Sequence, residues 1–173
     1  LVLKLDSVTQ KNLELVTNLQ GGEDKTVLSC IDNCCTLMGS RLLKRWLLNP
    51  IKQIETLEER HKFIFLIQQK FLYDNLRILL KTVGDLERIV GRLALKTVKP
   101  RDLIQIREVL RLLPRFQTVL VGELSVLLPS FDFTPLLNLL FKALVNDPPV
   151  LIRDGGVIAE GYCRELDELR NLS

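Results

Sequence analysis

The stretch VGDLERIVGRLALKTVKPRDL, residues 83–103, decides the fold class. From Asp85 onward, Leu86, Ile89, Val90, Leu93 and Ala94 fall at i, i+3, i+4, i+7 and i+8, the spacing of one helical stripe. Asp85 stands in the first turn and Lys96 in the last, so each charge complements the helix dipole. An unbroken apolar stripe predicts burial in a bundle core, and replacing Leu93 with Ala is expected to cost about 2–5 kcal/mol. Pro100 suits the first turn of a further helix that carries Leu103, Ile106, Leu110 and Leu113, and Pro114 is expected to end it.

The same period extends in both directions. Upstream, Met38, Leu42, Leu43, Trp46 and Leu47 form a stripe halted by Pro50. Ile54, Leu57, His61, Ile64 and Phe65 form the next, supported by Glu58 four residues before Lys62. Downstream, Thr134 followed by Pro135 is a start signal ahead of Leu136, Leu137, Leu140, Phe141 and Leu144. Between residues 147 and 162 the texture changes, because Pro148, Pro149, Gly155, Gly156 and Gly161 enclose the short apolar pieces VLI and GVIA, predicting a loop or hairpin. Helical spacing returns from Arg164 with Leu166, Leu169 and Leu172; this stripe is expected to run on past residue 173 and to lie partly bare. At the other end Leu1, Leu3 and Leu5 alternate, and Leu13 and Leu15 repeat the alternation within residues 12–19, predicting a small paired β edge before Gly21 and Gly22 break the chain. The expected fold is mainly α: an irregular helical bundle with a short N-terminal β element and a β-hairpin-like loop near residues 148–162, in a single domain over residues 1–173.

Composition agrees with a packed domain. The chain has 173 residues, 47% of them hydrophobic and 26% charged, with a formal charge of +3, which permits nucleic acid as a partner without demanding it. No apolar run approaches the roughly 18 residues of a spanning helix, so no membrane association is expected. A vicinal thiol pair among Cys30, Cys34, Cys35 and Cys163, in a sequence without a secretory signal, reads as reduced thiol and places the chain in the cytoplasm.

Chemistry is sparse. No GxxxxGK[ST] phosphate cradle exists, and residues 21–26, GGEDKT, lack the second glycine and carry two carboxylates that would repel phosphate. His61 is the only histidine and sits on an apolar stripe, so it is expected at the core or its boundary rather than as a catalytic base. The cysteines lack CxxC spacing and read as ordinary buried thiols rather than zinc ligands. Glu58, Glu59, Glu165, Asp167 and Glu168 alternate with basic residues and read as solvated faces with i,i+4 pairs. No catalytic, cofactor or metal residue is assigned. The candidate contacts to phosphate or to neighbouring domains are Arg88, Arg92 and Lys96, which recur every four positions, and Arg41, Lys44 and Arg45 beside Trp46.

Three segments, TLMGSRLLKRWLLNPI (36–51), VGDLERIVGRLALKTVKPRDL (83–103) and DPPVLIRDGGVIAEGYCRELDELR (147–170), occur in this order and resemble the bacterial MutS family of DNA mismatch-repair proteins. LDSVTQKNLEL (5–15) resembles the family's junction between connector domain and helical core. The resemblance implies a core/lever domain, with residues 1–20 at the connector junction and residues 163–173 opening the lever helix. It further implies a helical scaffold that couples the mismatch-binding and clamp regions to an ATPase, with no ATP or mismatch site of its own. ATP and magnesium, mismatched duplex DNA, a homodimer partner and the other MutS domains then belong to the parent protein. The family's Phe-x-Glu mismatch reader and Walker loop are absent from this sequence. The competing expectation is a free-standing helical adaptor that binds another protein through an apolar groove.

Overall fold

A computed structural model describes residues 2–172. Among them are nine α-helices: α1 (Ser7–Asn12), α2 (Val27–Ile31), α3 (Leu37–Leu48), α4 (Ile54–Gln69), α5 (Tyr73–Lys81), α6 (Leu86–Ala94), α7 (Pro100–Val119), α8 (Thr134–Ala143) and α9 (Arg164–Asn171). The chain is mainly α, as its periodicity predicts. It divides into two compact units, Leu1–Lys81 and Thr82–Ser173.

In the first unit the starts of α1, α2 and α3 follow from side chains that accept orphan amides. Asp6 accepts from Thr9 N at 2.7 Å, Thr36 Oγ1 from Gly39 N at 3.0 Å, and Thr26 and Ser29 form a reciprocal capping box around a threonine that is almost fully buried. Among the described residues, the expected small paired edge does not form between residues 2–5 and 12–19. Capped by Asp6, residues 7–12 are helical instead, and Val2 makes an isolated antiparallel bridge with Ile51, beside Leu3 N donating to Pro50 O at 2.7 Å. Leu1 lies outside the described residues. Asn18 holds the turn that follows: its oxygen accepts from Gln20 N and Gly22 N, and its nitrogen donates to Asp24.

The α4 stripe is oriented differently from its prediction. Ile54, His61, Ile64 and Phe65 are exposed, while Arg60, Phe63, Leu66 and Ile67 are half-buried beside Leu57. The run FIFLI at 63–67 places apolar groups almost all around the helix, so the period alone selects no face. His61 is therefore a surface residue rather than a core one.

The second unit centres on α7, which packs against α6 and α8. Ile89 and Leu124 are fully buried, with Val109, Phe116, Leu120, Leu140 and Leu144 nearly so. Pro100 occupies the first turn of α7 as predicted, but Pro114 does not end the helix; α7 continues through it to Val119. A proline inside a helix costs about 3 kcal/mol or more, and burial of Val109 before it and of Phe116 and Leu120 after it opposes that cost. On α6, capped by Asp85, the expected stripe is only partly covered: Ile89 is buried and Leu86 half-buried, yet Val90 is 58% and Leu93 49% exposed.

The loop after α8 also differs in its partner. The GVIA piece pairs with the end of α8 rather than with VLI: Ile158 bridges Leu144, Val145 N donates to Val157 O at 3.1 Å and Ala159 N to Ala143 O at 2.9 Å. Residues Ile152–Asp154 form a short 3-10 turn within the loop. Leu169 on α9 and Leu172 at its C-cap are bare, at 64% and 84% exposure, as the sequence predicts, while Leu166 is half-buried.

Candidate phosphate and interdomain contacts

Within the first unit, the α3 cap at Thr36 sets the helical phase that spaces Arg41, Lys44 and Arg45 along one helix. Lys44 and Arg45 are exposed and Arg41 is half-buried. Lys44 borders a small cavity of about 180 Å³ together with Glu23 and Asp32. Trp46 is not an open stacking platform, because the Arg60 guanidinium lies 3.6 Å from its ring centroid. Asp32 accepts from Cys34 N and Ser40 Oγ, and these hydrogen bonds hold its carboxyl below the ordinary carboxylate range.

Within the second unit, Arg88, Arg92 and Lys96 do not act as one row. Arg88 is largely exposed, with Nε 3.4 Å from Asp85. Lys96 lies beyond the C-cap of α6 in a left-handed backbone conformation, φ 56°. Arg92 turns toward α7 and forks the carboxylate of Asp102, Nε to Oδ2 at 2.8 Å and Nη2 to Oδ1 at 2.6 Å. Lys99 N donates to the same Oδ2 at 2.9 Å, so Asp102 closes the first turn of α7 while clamping α6. Burial pushes the Asp102 carboxyl up, but the Arg92 bonds, the Lys99 amide and the two nearby positive charges outweigh it and hold the carboxyl below its usual range. This pair also explains the orientation of α6: it turns the side bearing Asp85, Ile89 and Arg92 inward and leaves Val90 and Leu93 outside.

Two further polar groups escaped the sequence reading. Arg107 is only 3% exposed; its guanidinium lies 4.8 Å from the Phe141 ring centroid and its Nε 3.4 Å from Glu108, while Nε and Nη1 have no hydrogen-bond partner. The apolar neighbours Ile106 and Leu110 hid it in the pattern. Asp167 latches the glycine-rich loop to α9 by accepting Gly161 N at 2.8 Å and pairing with Arg170 Nη1 at 3.3 Å, and Arg170 Nη2 donates to Ile158 O at 3.0 Å. Gly161 has φ 81° there, a conformation that favours glycine. The i,i+3 spacing of Asp167 and Arg170 was the available signal. Arg164 pairs with Glu168 at 2.7 Å, the i,i+4 contact expected of that face.

Cys30 and Cys34 are exposed, and Cys35 and Cys163 half-buried, rather than fully buried thiols. Among the described residues no group of three His, Cys, Asp or Glu side chains is placed to hold a metal ion, and no helix is long and apolar enough to cross a membrane.

The geometry is that of a mainly helical chain with helices held by ion pairs and side-chain caps. The family model described as MutS domain III matches residues 8–172, nearly the whole chain, and the chain belongs to that family. Its role is therefore in DNA mismatch repair, as part of a MutS protein.

Proposed function

We propose that this domain is the mechanical link of its MutS protein, coupling the mismatch-binding and clamp regions to the ATPase, with no ATP or mismatch site of its own. The family match over residues 8–172 carries this reading. The Arg92–Asp102 fork supports it, because a joint between successive helices transmits displacement where a flexible linker would absorb it. On this reading ATP and Mg²⁺ bind elsewhere in the parent protein, which acts as a cytoplasmic homodimer on mismatched duplex DNA. Lys44, Arg88 and Lys96, with Arg41 and Arg45, contact phosphate or neighbouring domains, and Arg92 serves as the joint.

Coupling is a free energy shared between two sites, so it is measured in the full-length parent. Asp102→Ala should leave basal ATP hydrolysis and mismatch affinity each nearly intact while reducing the stimulation of one by the other. Unchanged stimulation in a folded variant would overturn the relay. This chain alone should release no phosphate from ATP and should bind matched and mismatched duplexes alike, weakly and with strong salt dependence.

A further inference from the structure

In the second unit, the later half of α7, the turn at residues 128–133 and the start of α8 enclose a cavity of about 320 Å³, at the small end of ligand pockets. Leu110, Leu113, Pro114 and Leu137 supply apolar wall. Pro114 has no N–H, so the Leu110 carbonyl loses the donor that an uninterrupted helix would provide four residues on. Phe131, Asp132 and Phe133 also line the cavity. The two rings meet edge to face, centroids 5.1 Å apart, and Phe131 is 72% exposed. Asp132 Oδ1 accepts the Thr134 amide at 2.9 Å, and its bonds from Thr134 hold the carboxyl below the ordinary range, so it is ionised at neutral pH.

We propose that this cavity is a docking pocket for an arginine side chain presented by a polypeptide partner. The argument is complementarity. A carboxylate and two aromatic rings lining one cavity attract a cation, and a planar guanidinium satisfies both at once, stacking on a ring while directing N–H groups at Asp132. The arginine methylenes suit the leucine and proline wall. A neutral aromatic occupant would offer the carboxylate no opposite charge, and an anion would be repelled by it. The pocket is independent of the coupling role proposed above.

The test uses the whole chain, isotopically labelled, titrated with the blocked pentapeptide acetyl-Gly-Gly-Arg-Gly-Gly-amide and followed by amide chemical shifts. Saturable shifts confined to residues 110–117 and 128–137 are expected. The citrulline counterpart keeps the shape and loses the charge, and should bind at least about tenfold more weakly, as loss of a charged hydrogen bond predicts. Asp132→Asn retains an oxygen for the Thr134 amide and should weaken arginine binding without changing the melting temperature; Phe131→Ala, at an exposed position, should do the same. Equal affinity for the citrulline peptide, no effect of either variant, or shifts centred elsewhere would overturn the pocket. A counterpart with lysine in place of the arginine should also bind more weakly, and equal affinity for it would overturn the assignment to a guanidinium.

Discussion

Arg92 and Asp102 are ten positions apart in sequence and joined by two parallel hydrogen bonds, so one carboxylate both completes the start of α7 and fixes the rotation of α6. Removing it strands the Lys99 amide as well as the guanidinium. Asp102→Ala should destabilise the chain by roughly 1–3 kcal/mol in thermal or urea unfolding followed by circular dichroism.

The same group sets a pH dependence. The Asp102 carboxyl is depressed in the folded chain, so its contribution is fully present above the unfolded carboxylate value of about 3.9 and is lost as pH falls through the lower folded value. The melting temperature should fall on acidification below about pH 4, and by less in Asp102→Asn than in the parent. An identical fall in both would show that other carboxylates, such as Asp6, Asp32 and Asp132, carry the effect.

Ile89 and Leu93 lie on the same predicted stripe but differ in burial, at 0% and 49% exposure. Ile89→Ala should therefore cost about 2–5 kcal/mol and Leu93→Ala less than about 1 kcal/mol. This replaces the larger penalty that periodicity alone assigns to Leu93. Comparable losses in the two variants would contradict the orientation of α6.

Arg107 is buried with two guanidinium nitrogens lacking hydrogen bonds, and its acidic neighbour Glu108 also pairs with Arg111 at 2.7 Å. Desolvation of this charge is poorly compensated. Arg107→Met, similar in length and free of polar hydrogens, should leave stability unchanged or raise it. A marked loss would mean that the cation–π contact with Phe141 outweighs the desolvation.

Leu169 on α9 and Leu172 at its C-cap present bare apolar surface. Leu169→Glu should lower the weight-average mass in sedimentation at high protein concentration while the unfolding free energy stays within about 0.5 kcal/mol of the parent. Loss of folding would show that this face docks on the domain's own core.

Local chemistry was legible in the sequence by itself. The helical class, the starts at Asp85 and Pro100 and the interruption by Pro50 each rest on hydrogen bonds or torsions within a few residues, and those depend on neighbours in the chain. The candidate basic residues were visible for the same reason, as charges at helical spacing. Tertiary structure decided which apolar residues are covered, what Arg92 pairs with, where the GVIA piece lies and whether Pro114 breaks α7. Those outcomes depend on groups brought together from distant positions: Asp102 rotates α6 away from its most apolar face, the end of α8 supplies amides and carbonyls to residues 157–159, and packing on both sides of Pro114 opposes the helix break that proline favours. Periodicity shows that a helix has an apolar side, whereas burial is settled by the elements that come to lie against it.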